Sequence, residues 1–145
     1  MNRLKFDDGK LNGCISGIED LIKLEDPLFK NLLRRELDED LILTKTTCPI
    51  GVIGVILESR PDALVQIASL CIKSGNCVIL KGGSEAKNTN RILFDTIYGA
   101  ALSAGLPADF ALLIEDRAGI DELLKCHEYV DLLIPRGSNQ FVQYI

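Results

Sequence analysis

Val52-Ile-Gly-Val-Ile-Leu57, then Glu58-Ser-Arg-Pro61 and Asp62-Ala-Leu64, is the stretch that decides how the rest of the chain is read. Six apolar residues without alternation suit a strand buried on both faces. Pro61 opens a helix where its missing N–H costs nothing, and Asp62 complements the dipole. Leu64, Ile67, Ala68, Cys71 and Ile72 continue it as an i, i+3, i+4, i+7, i+8 stripe, and Gly75 ends it just after Lys73. Downstream the same alternation repeats. Cys77 to Leu80 reads as a strand, and Ser84 as the N-cap of a helix reaching about Ala104, with Leu93, Ile97, Ala100, Ala101 and Ala104 facing inward. Ala111 to Ile114 is a third strand, Ile120 to Lys125 a short helix, and Val130 to Ile134 a fourth strand, before Gly137-Ser138 opens a last helix. Strand and helix in turn predict an α/β fold: a doubly wound, mainly parallel sheet over residues 48–145, covered by helices.

Upstream, Leu11, Cys14, Ile15, Ile18 and Ile22 share one helical face, Asp38-Glu39-Asp40 marks a turn, and Leu41 to Thr47 is β-branched. Residues 1–47 are therefore expected to add a flanking helix and an edge strand to the same domain. The chain has 145 residues, 47% hydrophobic and 26% charged, with a net charge of −5. One domain of this size buries roughly 68–70% of its unfolded surface, so no staple is required for a core. The acidic balance argues against a nucleic-acid partner, which needs a basic face. No apolar run approaches the ~20 residues of a membrane span, and no apolar leader follows Met1. A cytoplasmic location is the expectation.

Cys14, Cys48, Cys71, Cys77 and Cys126 form no C-x-x-C, and Cys126-His127 has no second ligand pair nearby. Neither zinc nor a disulfide framework is expected. A catalytic thiol needs a helix N-terminus or a cation beside it, whereas Cys71 falls near a helix C-terminus, where the dipole works the wrong way.

In an open parallel sheet, ligands bind outside the carboxyl ends of the strands. Three segments occupy that rim: Glu58-Ser59-Arg60, Lys81-Gly82-Gly83-Ser84-Glu85, and Pro135-Arg136-Gly137-Ser138. Cations beside helix starts suit an anion such as a dinucleotide phosphate. Neither G-x-G-x-x-G nor G-x-x-x-x-G-K-[ST] occurs. Pattern alone leaves Gly82-Gly83 open between an ordinary turn and a phosphate cradle.

Taken together, Pro49 to Pro61, Lys73-Ser-Gly-Asn76, Val78 to Gly83 with Glu85-Ala86, Tyr129 to Ser138, and Arg3 to Asp8 closely resemble the glutamate-5-semialdehyde dehydrogenases, also called γ-glutamyl-phosphate reductases. The same module forms the C-terminal half of pyrroline-5-carboxylate synthases. The resemblance runs in order through nearly the whole chain. It implies an aldehyde dehydrogenase-like cofactor-binding domain and the NADPH-dependent reduction of L-glutamyl 5-phosphate to L-glutamate 5-semialdehyde and phosphate, in proline biosynthesis. It also implies a small-molecule substrate and a homo-oligomeric enzyme. By the same resemblance, Lys81 reaches the cofactor's adenosine ribose, with Gly83, Ser84 and Glu85 beside it. Arg136, Gly137 and Ser138 form the turn that approaches the pyrophosphate of NADP(H). Glu58, Ser59 and Arg60 replace the loop facing the reacting carbonyl, and Arg60 is assigned to a substrate phosphate or carboxylate. A surface ion pair with Asp62 is the competing role for Arg60.

The family's nucleophilic cysteine belongs to a catalytic domain that follows this region, and none of the five cysteines inherits the role. The expectation is a fragment carrying most of the cofactor-binding half, catalytically inactive alone, with no catalytic residue and no metal ligand of its own. Two alternatives stand beside it: a non-catalytic nucleotide-binding or subunit-interaction module of the same fold, and a generic NAD-linked aldehyde dehydrogenase, against which the Glu58-Ser-Arg-Pro61 loop speaks.

Overall fold

A computed structural model describes residues 4–58, 60–116 and 118–145. Helix α1 (Asp8–Lys23) is followed by β1 (Asn31–Asp38) and β2 (Leu41–Thr46). Then come β3 (Val52–Leu57), α2 (Pro61–Lys73), β4 (Cys77–Lys81), α3 (Lys87–Ser103), β5 (Ala111–Ile114), α4 (Ala118–Lys125), β6 (Leu132–Arg136) and α5 (Asn139–Tyr144). Strands β5-β4-β3-β6 form one sheet in that order, with every neighbouring pair parallel. From β3 the chain steps outward through β4 to β5, then returns to the other side of β3 as β6. The order therefore reverses between β3 and β6, which makes that gap the topological switch point.

One face of the sheet presents Ile53, Val55, Leu57, Val78 and Leu80 to Ala63, Leu64, Ala68 and Cys71 of α2 and to Phe94 of α3; this is the core. On the opposite face a β-carbon at Gly54 would lie 2.9 Å from Leu133 and 3.5 Å from Leu123 of α4. Glycine there lets α4 and β6 close over β3. Helix α2 ends in a Schellman turn, with Gly75 N–H on the Ile72 carbonyl and Asn76 N–H on that of Cys71. Gly75 has φ +66, the left-handed value this turn requires. Asn76 is buried, and its carboxamide oxygen accepts from Ile50 N–H (2.7 Å) and Gly51 N–H (2.9 Å), fixing the entry to β3. The Asp131 carboxylate takes the Val52 N–H at 2.8 Å.

Three expectations need correction. Leu41–Thr46 is a strand, but it pairs antiparallel with β1 in a separate two-stranded sheet, not with the edge of the parallel one. The Glu39-Asp40 turn, with Asp40 at φ 62, folds the two strands onto each other. Ser84 does not cap α3: Ser84–Ala86 forms a 3₁₀ turn, and the helix starts at Lys87 behind Ala86 without a side-chain cap. The fourth strand lies two residues later than Val130 to Ile134. Tyr129 and Val130 N–H groups are both taken by the Cys126 carbonyl, so pairing with β3 begins only beyond them.

Candidate functional site

The carboxyl edge of the sheet brings the predicted segments together. Leu57, the last residue of β3, lies opposite Arg136, the last of β6, and Ile56 lies opposite Lys81, the last of β4. A crevice of about 180 Å³ opens there, lined among others by Glu58, Lys81, Gly83, Ser84, Glu85 and Glu115. Lys81 is 4% exposed, and its ammonium group donates to the Gly82 carbonyl at 2.5 Å. A side chain buried this deeply needs such an acceptor in place of water. The backbone at Gly82 lies flat against the carboxamide of buried Asn90, with which any β-carbon would collide. At Gly83 a β-carbon would sit 2.6 Å from the Glu85 carboxylate. Both positions keep side chains out of the crevice floor.

Of the remaining predicted residues, Gly137, Ser138 and Arg136 do not line this crevice. They reach it through Glu58, whose carboxylate accepts from Ser138 N–H at 2.7 Å and whose own N–H donates to the Arg136 carbonyl at 3.0 Å. The Arg136 side chain is exposed. Arg60 is also exposed, 4.0 Å from the Asp62 carboxylate, so the ion pair weighed against its substrate role is present. Asp62 in turn meets Lys10 of α1 at 3.6 Å. Ser59 lies outside the described residues.

Glu115 was not among the predicted site residues, although it directly follows β5 on the same rim. Arg91 of α3 grips it in a fork, Nε to Oε1 at 3.1 Å and a terminal nitrogen to Oε2 at 2.9 Å, with Lys87 at 3.9 Å. The Arg91 hydrogen bond is the main reason its carboxyl is held below the ordinary range, with the charges of Arg91 and Lys87 adding to it. The acidic residue directly after a strand was the available signal, but its main partner, Arg91, sits on a helix 24 residues away.

None of the five cysteines lines the crevice. Burial pushes up the Cys71 thiol; burial and then the Asp62 charge do the same for Cys14. Among the described residues no group of His, Cys, Asp and Glu is arranged to hold a metal, and no helix is long and apolar enough to cross a membrane.

No protein-family model matches the chain. All of it aligns at 61% identity with 33% of the γ-glutamyl phosphate reductase of Pelotomaculum thermopropionicum. The crystal structure of γ-glutamyl phosphate reductase from Thermotoga maritima superimposes on 99% of the chain with a TM-score of 0.93 at 33% identity, over 35% of that protein. An acetylating aldehyde dehydrogenase from Geobacillus thermoglucosidasius shares the fold at a TM-score of 0.68 and 20% identity, over 93% of this chain and 29% of that one. The chain thus spans about a third of the length of the curated relatives it matches. Along its whole length it is similar in sequence and fold to one segment of these γ-glutamyl phosphate reductases, and it shares the α/β architecture of the aldehyde dehydrogenase-like structures.

Proposed function

We propose that this chain is the cofactor-holding part of an NADPH-dependent γ-glutamyl phosphate reductase that converts L-glutamyl 5-phosphate to L-glutamate 5-semialdehyde and phosphate in proline biosynthesis. The observation that carries the reading is the 61% identity, over every residue of the chain, to an enzyme of that name. The geometry fits a dinucleotide: a buried lysine and a glycine-floored crevice stand on the carboxyl edge, next to the switch point. Lys81, Gly83, Ser84 and Glu85 would hold the adenosine ribose, while Arg136, Gly137 and Ser138 would face the pyrophosphate. The nicotinamide, when bound, supplies a hydride to the acyl carbon. Glu58, Ser59 and Arg60 orient the substrate, with the Arg60 guanidinium offered to its phosphate or carboxylate. The attacking thiol belongs elsewhere in the enzyme, because no cysteine here faces the crevice and Cys14 and Cys71 are buried with raised thiol pKa values. The reading carries with it a cytoplasmic, homo-oligomeric enzyme, with this chain inactive alone.

Titration of NADPH fluorescence with the full chain tests it. Lys81→Ala should weaken binding at least tenfold, the scale of one charge-assisted hydrogen bond. Unchanged binding would remove Lys81 from the site, and turnover by the chain alone would overturn its assignment as the non-catalytic part.

A further inference from the structure

Parallel strands flanking a switch point send their chains to opposite faces of the sheet, so a crevice normally opens between their carboxyl ends. Here that opening is tied shut. Glu58 N–H on the Arg136 carbonyl carries the β3–β6 pairing one residue past Leu57, and the Glu58 carboxylate then closes on Ser138 N–H at 2.7 Å. The two bonds join loops that are 80 residues apart in sequence. Glu58 also lines the Lys81 crevice. Glu115, on the same crevice, is neutralised by Arg91 and Lys87, whereas Glu58 meets no cation among the described residues. Its negative charge therefore faces any anion that approaches the switch point, and a hydrogen bond to a charged acceptor is stronger than a neutral one.

We propose that Glu58 is a clasp across the switch point, whose carboxylate must leave Ser138 N–H before a dinucleotide diphosphate can settle between β3 and β6. Cofactor entry is then coupled to the position of the loop that begins at Glu58 and carries Arg60. Glu58 acts as a positioning residue and contacts no reacting atom. The inference rests on the dinucleotide reading above and adds to it a direction: removing the clasp strengthens cofactor binding.

Two variants of the full chain separate charge from tether. Glu58→Gln keeps an acceptor oxygen for Ser138 but loses the charge; Glu58→Ala loses both. Amide hydrogen exchange at Ser138, followed by NMR without ligand, should accelerate at least tenfold in Glu58→Ala. NADPH should bind both variants about tenfold more tightly than wild type at low ionic strength, and the gain should narrow as salt screens the charge. Adenosine 2′-phosphate, which lacks the diphosphate, should gain less than NADPH in both variants. Ser138 exchange indifferent to Glu58→Ala overturns the clasp. So does NADPH binding that is unchanged or weakened in the variants while adenosine 2′-phosphate still binds, and that result leaves the dinucleotide reading standing. Failure of both ligands to bind any of the three removes the dinucleotide reading and the clasp with it.

Discussion

Glu115 shows how much of a site's electrostatics depends on one side chain's neighbours. Its carboxylate would otherwise add a further negative charge to a crevice proposed to hold part of an anionic dinucleotide, and the Arg91 fork with Lys87 beside it offsets that charge. The consequence for stability has a definite sign. The Glu115 pKa is lower in the folded protein than in the unfolded chain, chiefly through the Arg91 hydrogen bond. Its stabilising contribution is therefore present above the ordinary glutamate value and is lost as pH falls through the depressed folded value. Asp7 and Glu25 are lowered too, so the acid slope of the whole protein is shared among several groups. The comparison of wild type with Glu115→Gln isolates this one. The urea midpoint of wild type should exceed that of the variant at neutral pH, and the gap should close as pH falls below the ordinary glutamate value of 4.5. A gap that widens on acidification would contradict the assignment.

At the scale of elements, the amino edge of the sheet is held by side chains acting on backbone. Asn76 does most of this: it follows the Schellman turn of α2, its oxygen serves Ile50 and Gly51 N–H, and its amide nitrogen donates to the Ser74 hydroxyl at 2.7 Å. Asn76→Ala would leave two backbone donors without a partner and should destabilise the domain by about 2 kcal/mol in chemical denaturation. Asn76→Asp, which keeps an acceptor oxygen, should recover part of that loss. The same elements show what the sequence makes legible. Strand β3 announces itself because burial on both faces demands an uninterrupted apolar run, β4 and β5 because their runs are apolar too, although Leu112 of the outer strand β5 is exposed, and α2 and α3 because each keeps a clear inner stripe. Strand β1 did not, because Asn31–Asp38 is exposed along its length and its charged residues follow no alternation that marks a buried face. The start of β6 was misplaced because the turn from Cys126 to Val130 has the same apolar ending a strand would have. Within the site, Lys81 and Glu58 could be found from the rule that strand ends face ligands. The bond from Glu58 to Ser138 could not, since no local pattern encodes a contact between loops so far apart in the chain.

For the whole molecule, the uneven burial is what remains to be accounted for. Around β3 and β4 almost every side chain is inside, yet β1 and β2 are exposed from end to end and carry Leu32, Leu33, Leu37, Leu41, Ile42 and Leu43. An isolated two-stranded hairpin is marginal in water, and exposed leucines and isoleucines on both faces of such a ribbon favour its being covered. Its two outer edges also offer unpaired backbone groups to another chain. The proposed homo-oligomer supplies a second copy as the cover. Light scattering over a dilution series should therefore show self-association of the wild-type chain at high concentration, reversing on dilution. Leu41→Lys combined with Leu43→Lys puts two charges on β2 without touching the parallel sheet, so the double variant should keep the core's denaturation midpoint while remaining monomeric over the same range. A wild type that stays monomeric throughout would take the hairpin out of any self-contact, and loss of the core transition in the variant would show that the hairpin supports the domain itself.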